Sequence, residues 1–300
     1  MKVKDGMIGL IVGDALGVPV EFASRQLLKE NPVTGMRGHG TYNQPKGTWS
    51  DDSAMAIATM HSIVEKQAID YDDIMDKFLD WIKYARYMQG DYTFDYGITT
   101  GTALMNYDKG TPALESGLTG DRDNGNGSLM RILPLAYIKD IDYETIENVS
   151  ALTHAHKRSK IACVLYVEIA RSMLENDMTI EEHIKSSCDK IKEYYKDSHE
   201  LEHFQKIFNN ELDYLSGKGY VIYTFEVVVH CLLTTDNFKD AVLKAVNIGG
   251  DTDTNAAICG GLAGIYYGYD SIPIDWIGEI DKVNKVLSLC EKYEAFCDES

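Results

Sequence analysis

The chain has 300 residues, 44% hydrophobic and 25% charged, the balance of a soluble globular protein with enough apolar mass for a sizeable core. Its 29 basic and 47 acidic side chains leave a net charge of −18, which argues against nucleic acid as a partner, because phosphate contacts need clustered lysine and arginine. No uninterrupted apolar run reaches the roughly 18 residues of a membrane span, and the six cysteines form no CxxC pair and no zinc-like spacing with histidine, so free buried thiols in a cytoplasmic protein are expected.

In chain order, MKVKDGMIGLIVGDALG carries Asp14 inside an apolar stretch and lacks a signal-peptide cleavage pattern. Gly9, Gly13 and Gly17 recur every four residues and line one bare helix face for close packing. SAMAIATMHSIVEKQ follows with helical spacing, and YDDIMDKFLDWIKYARYM aligns Ile74, Phe78, Leu79 and Ile82. Helical periodicity continues through SLMRILPLAYIKD, SKIACVLYVEIARSMLE, TIEEHIKSSCDKIKEYY, TFEVVVHCLLTT, FKDAVLKAVNIG, NAAICGGLAGIYYGY and IDKVNKVLSLCEKYEAF. Convincing alternating strands are absent, so the expectation is one all-α domain over residues 1–300. Loops are expected at 31–50, 88–101, 108–127 and 216–221, and a solvated helical hairpin at 180–215.

Three separated stretches carry the chemistry. In the first, Asp14 is read as bracing a neighbouring loop, since a buried carboxylate must be hydrogen-bonded, while Glu21, after Pro19, is free to reach a site. In the second, Ser50, Asp51, Asp52 and Ser53 precede a helix, where one of them would suffice as a cap. The third, IGGDTDT at 248–254, sets Asp251 and Asp253 two apart; an extended approach would point both at one centre, with Thr254 arriving from the first helical turn. If the two helix mouths converge, four carboxylates share a pocket and raise one another's pKa. Two divalent cations would remove that conflict, and Mg²⁺ or Mn²⁺ suits such an oxygen-rich set.

The blocks GDALGVPVE, TWSDDSAM, NGSLMR, LTH and NIGGDTDTNAAICGGLAG, running from residue 9 to 264, resemble the ADP-ribosylglycohydrolase family, which includes the hydrolase that reactivates ADP-ribosylated dinitrogenase reductase. The resemblance implies an all-α orthogonal bundle around a central dinuclear Mg²⁺ or Mn²⁺ site. It implies Ser50, Asp51, Asp52, Asp251, Asp253 and Thr254 as metal ligands and Glu21 as a mobile glutamate beside them. Asp95 would stand near the scissile ribose, with Glu21 and Asp95 the candidates for acid–base work. Asn126, Gly127 and Ser128 would meet the diphosphate of ADP-ribose, in a glycine-rich loop that opens a helix. His154 would sit beside the cleft as a binding residue, and His156 on the surface. Arg131 is open between a local salt bridge and a phosphate contact, and Met130 is expected in the core. Tyr92, Phe94 and Tyr96 are expected to pack on the core rather than stack on adenine.

The implied activity is metal-dependent hydrolysis at the ribose anomeric carbon, removing ADP-ribose from modified side chains, with the N-glycosidic arginine linkage favoured. Serine-linked or small-molecule ADP-ribose conjugates, a metal-dependent phosphoesterase and a non-catalytic ADP-ribose-binding or crystallin-like protein are the alternatives. The intact ligand set argues against the last of these.

Overall fold

The structure is a computed structural model that describes residues 2–299. Among these the α-helices are α1 (Val3–Gly17), α2 (Arg25–Glu30), α3 (Asp51–Lys66), α4 (Tyr71–Tyr84), α5 (Ile98–Asp108), α6 (Ala113–Ser116), α7 (Tyr143–Ala151) and α8 (Lys157–Glu175). They continue as α9 (Ile180–Tyr194), α10 (Gln205–Phe208), α11 (Val221–Leu233), α12 (Phe238–Val246), α13 (Thr252–Tyr267), α14 (Ile274–Glu279) and α15 (Val283–Glu299). The described residues contain no strand, only three isolated bridges between loops, so the all-α expectation holds.

The centre of the molecule is an antiparallel pair, α1 against α13, both buried on nearly every side. The glycine face makes the pair possible. A Cβ on Gly9 would lie 2.2 Å from Gly260 O, on Gly13 2.1 Å from Ala256 O, and on Gly17 2.3 Å from Asp253 Cα. Helix backbones touch along this seam, and the end of α1 is locked to the first turn of α13. Helices α11 and α12 pack on the far side of α13, α3 and α15 pack on α1, and α8 closes over α13. A continuous apolar core fills the gaps, with Phe78, Trp81, Tyr166 and Phe225 among its largest members.

Helix starts follow side-chain capping: Ser50, Asp70, Asp142, Thr179 and Asn237 each accept a backbone N–H at their N-cap positions. Several expectations are corrected. SLMRILPLAYIKD is not an α-helix but two 3₁₀ turns, Leu129–Arg131 and Leu133–Tyr137, because Pro134 cannot donate within a helix. Residues 98–101, expected in a loop, open α5 instead. The buried stripe of α4 runs through Ile74, Phe78 and Trp81, with Leu79 and Ile82 only half-buried. The 180–215 segment is solvated on one face only, since Ile184, Cys188 and Ile191 of α9 are buried against the bundle. All six cysteines are buried and free, as expected.

Candidate metal centre and cleft

The approach to α13 starts at Gly249 and Gly250, whose φ values of 81° and 84° favour glycine and turn the chain sharply. Asp251 is then the N-cap residue, and Asp253 lies inside the first helical turn. The extended i, i+2 geometry expected for this stretch is therefore incorrect. Both carboxylates reach the helix mouth because the first turn is tight. Ser50 plays the same part for α3, with Asp51 and Asp52 as its first two residues.

Asp14 joins the two mouths. Its carboxylate accepts from Ser50 N at 2.9 and 3.0 Å, from Ser53 N at 3.0 Å and from Ser53 Oγ at 2.5 Å, which braces the start of α3 as the sequence implied. It does more than that. Carboxylate oxygens of Asp14, Asp52 and Asp253 lie within 4.8 Å of one another, and those of Glu21, Asp95 and Asp253 form a second such triad. Asp253 therefore stands between two acidic clusters. The sequence reading missed Asp14 as part of this set; its signal was its place beside Gly13, on the seam that faces the mouth of α13.

The remaining contacts tie the set together. Ser50 Oγ donates to Asp52 Oδ2 at 2.9 Å, and Thr254 Oγ1 donates to the same oxygen at 3.3 Å. Asn126 Nδ2 donates to Asp251 Oδ2 at 2.8 Å and to Thr224 Oγ1 at 2.9 Å. Asp51 joins neither triad, although Asp95 and Asp52 act on it electrostatically. Asp52, Asp253 and Asp14 are fully buried.

Burial first, and then the neighbouring carboxylates, push Asp51, Asp52 and Asp253 well above the usual carboxylate range. Asp14 is pushed to about 6 by burial, and Glu21 to about 9 by burial and then by Asp95. Asp52 Oδ1, Asp253 Oδ2 and Glu21 Oε2 are buried with no hydrogen-bond partner. An orphaned buried carboxylate oxygen is costly; these three belong to the two triads that share Asp253, and such oxygens are the donor type that a hard cation takes. The residues thus fit a metal centre.

Glu21 and Asp95 reach the centre on unusual backbone. Asp95 itself has φ 53°, and Phe22, just after Glu21, has φ 63° and donates its N–H to Gly250 O at 2.7 Å. Tyr42 bonds Glu21 through its hydroxyl, a contact the sequence did not signal. Around them, Phe94 is buried against Tyr42 with ring centroids 4.9 Å apart, and Tyr96 meets Trp81 edge-on at 6.0 Å. Tyr92 is largely exposed and Tyr96 about half exposed, so both depart from the expected core packing and only Phe94 meets it.

The 124–128 loop lies across from this centre. It opens a 3₁₀ turn rather than an α-helix, so the expected row of free helical N–H groups is not present. Gly127 is pressed against His154: a Cβ there would lie 2.8 Å from His154 Cε1. Ser128 points its hydroxyl inward, to Ser150 Oγ at 2.9 Å and Cys163 Sγ at 3.5 Å, leaving only its backbone for a ligand. Met130 is in the core as expected.

Arg131 forms neither a salt bridge nor a surface contact. It is fully buried, donates to Val149 O at 3.2 Å and Thr153 Oγ1 at 2.8 Å, and lies 4.9 Å over the Phe78 ring. Thr153 Oγ1 accepts from this guanidinium and lies 2.8 Å from His154 Nδ1, an acceptor that would take the hydroxyl's own proton. That arrangement would put the hydrogen of a neutral His154 ring on Nε2, the nitrogen nearest Gly125 and Gly127. Burial, then Arg131, lowers its pKa to about 3. His156 caps α8 by accepting from Arg158 N at 3.2 Å.

The family model described as ADP-ribosylglycohydrolase matches residues 1–299. The chain is 28% identical over 298 residues to ADP-ribosylarginine hydrolase Tri1 of Serratia proteamaculans (strain 568), covering 97% of this chain and 78% of that protein. It is 29% identical over 285 residues to ADP-ribosyl-[dinitrogen reductase] glycohydrolase of Rhodospirillum rubrum, covering 91% and 88%. A solved structure titled ADP-ribosylglycohydrolase-related protein complex superposes with a TM-score of 0.83 at 26% identity, over 98% of this chain and 97% of that one. With a family match over nearly its whole length, a matching all-α fold and a buried acidic centre at its two helix mouths, the chain belongs to the ADP-ribosylglycohydrolase family of hydrolases.

Proposed function

We propose that the chain, working as one domain, is a metal-dependent hydrolase that removes ADP-ribose from modified arginine side chains. The observation that carries this reading is the pair of carboxylate triads that share Asp253, in which Glu21, Asp52 and Asp253 each keep a buried oxygen without a hydrogen-bond partner. The name of the Serratia relative, an ADP-ribosylarginine hydrolase, favours the arginine linkage, and that of the Rhodospirillum relative, an ADP-ribosyl-[dinitrogen reductase] glycohydrolase, favours a modified protein as substrate.

Ser50, Asp51, Asp52, Asp251, Asp253 and Thr254 would hold two divalent cations, Mg²⁺ or Mn²⁺, with Asp14 fixing the first three through the start of α3. When bound, these ions would supply Lewis acidity toward the ribose hydroxyls and a water.

The chain's own groups would do the rest. Hydrolysis breaks the bond from the anomeric carbon to the guanidine nitrogen, forms a bond from that carbon to water oxygen, and moves one water proton to the leaving nitrogen. Glu21 and Asp95 lie in one carboxylate triad, where burial and then the neighbouring Asp95 charge favour the protonated form of Glu21. That pair would relay the proton. Asn126 would hold Asp251 in place, while backbone at Gly127 and Ser128 and the Nε2–H of His154 would meet the diphosphate.

Incubation with arginine- and serine-ADP-ribosylated peptides, with Mg²⁺ or Mn²⁺ or with chelator, tests this by mass spectrometry of the products. Metal-dependent release of intact ADP-ribose from the arginine peptide is expected. Release of phosphate or AMP, or cleavage of the serine peptide alone, would refute it.

A further inference from the structure

Away from the acidic centre, α3 and α15 enclose a cavity of about 510 Å³, within the range of small-molecule sites. Its floor is apolar and buried: Trp49, Ile57, Met88 and Val286. Its rim carries the opposite of the protein's overall charge. Lys282, Lys285 and Lys292 of the α15 side face a single carboxylate, Glu65, in a chain of net charge −18.

Glu65 is already paired with Lys77 Nζ at 2.5 Å, and Lys282 Nζ is held by Met88 O at 3.1 Å and Gln89 O at 2.7 Å. Lys285 and Lys292 are exposed, and among the described residues their ammonium groups have no hydrogen bond or ion pair. His61 in the wall bonds Tyr87 Oη at 3.0 Å and lies 3.5 Å from Glu65 Oε1. Burial outweighs Glu65 and lowers the His61 pKa, while burial raises that of Tyr87, so neither adds charge at neutral pH.

We propose that this cavity binds an amphipathic monoanion, a medium-chain or aromatic carboxylate or sulfonate. The apolar body would lie on Trp49, Ile57 and Val286, and the acidic head would meet Lys285 and Lys292. A nucleotide or free phosphate is a poor match, because the floor offers an apolar face rather than a row of donors. A cation would be repelled at the rim, and a neutral apolar molecule would leave the two free lysines without a role. The floor is also wired to the neighbouring turns. Trp49 N–H donates to Gln89 Oε1 at 2.8 Å and its indole N–H to Tyr87 O at 2.8 Å, while Gln89 Nε2 donates to Gly47 O at 2.8 Å. Since Trp49 immediately precedes Ser50, an occupant would also hold the turn that carries Asp51 and Asp52.

The test titrates the full chain with 8-anilinonaphthalene-1-sulfonate by fluorescence and with decanoate by calorimetry. One-to-one binding is expected, with decanoate displacing the sulfonate and ADP-ribose leaving it in place. The double substitution Lys285→Ala/Lys292→Ala should weaken both ligands at least tenfold without changing the melting temperature. Leu289→Trp, which fills the cavity from a half-buried position, should abolish binding. The proposal is overturned if neither anion binds, if the double variant binds unchanged, if decanol competes as well as decanoate, or if ADP-ribose displaces the probe. It stands independently of the reaction proposed above, since its readout is binding alone.

Discussion

Gly13→Ala sets two well-characterised effects against each other. Alanine is the better helix former by about 1 kcal/mol, so propensity alone says that the substitution stabilises α1. The structure says otherwise. The new Cβ would lie 2.1 Å from Ala256 O and 2.5 Å from Ala256 C, against helix backbone that cannot rotate away. Relief requires α1 and α13 to separate by about 1 Å, and a gap of that size forfeits a quarter to a half of each dispersion contact along the seam. Overpacking of this kind costs about 1–3 kcal/mol, which matches the propensity gain at its low end and exceeds it above that. Net destabilisation of up to about 2 kcal/mol is expected, a fall of about 2–4 °C in melting temperature for each kcal/mol. The same separation would pull Asp14 from Asp253 and weaken Mn²⁺ binding. Gly101→Ala is the control: it lies within α5, where the new Cβ meets only Tyr96 ring carbons at 3.4–3.5 Å, so it should stabilise by about 0.5–1 kcal/mol. Urea denaturation in chelator, with calorimetric Mn²⁺ titration, measures both effects. A Gly13→Ala protein more stable than the parent by the propensity gain of about 1 kcal/mol would refute the close-packing reading.

Asp14→Asn keeps the shape but turns a donor toward N–H groups that need an acceptor, so a loss of about 3 kcal/mol and of tight metal binding is expected by calorimetry. Asp253→Asn removes a buried charge with an orphaned oxygen; in chelator the variant should be about 1–2 kcal/mol more stable than the parent, yet gain nothing from Mn²⁺ in a melting experiment. His154, with its folded pKa lowered to about 3 against roughly 6.5 unfolded, binds its proton mainly in the unfolded chain between those values. Its contribution is therefore complete above about pH 6.5 and is lost on acidification at up to ~1.4 kcal/mol per pH unit. The stability difference between the parent and His154→Gln should shrink as pH falls from 7 to 5, and a constant difference would contradict the buried neutral imidazole.

The parts of the fold that could be read in the sequence are those where one local pattern decides the outcome. The four-residue glycine repeat of α1 announced a bare face, and the structure places α13 against it at backbone contact. Ser50 and Asp251 with their flanking carboxylates announced two crowded helix mouths, although Asp253 enters through a helical turn rather than an extended one. Where the signal is long-range, it was hidden. Asp14 could be read as a brace, but its approach to the carboxylates of Asp52 and Asp253, which are far from it in sequence, could not. Arg131 stood open between a local salt bridge and a phosphate contact because nothing local shows that Val149, Thr153 and Phe78 close over it. α5 was missed because Thr99, Thr100 and Thr102 with Gly97 and Gly101 weaken its propensity, and packing on α4 outweighs that.

The central claim is that the carboxylates at the mouths of α3 and α13 hold the ions on which hydrolysis depends. Calorimetric titration of Mn²⁺ into metal-free protein, with cleavage of an arginine-ADP-ribosylated peptide followed by mass spectrometry in the same samples, tests it most directly. Two bound ions are predicted, with release of intact ADP-ribose rising with their occupancy and both lost in Asp253→Asn. Undiminished release in chelator, or an Asp253→Asn protein that still binds both ions and cleaves, would contradict it.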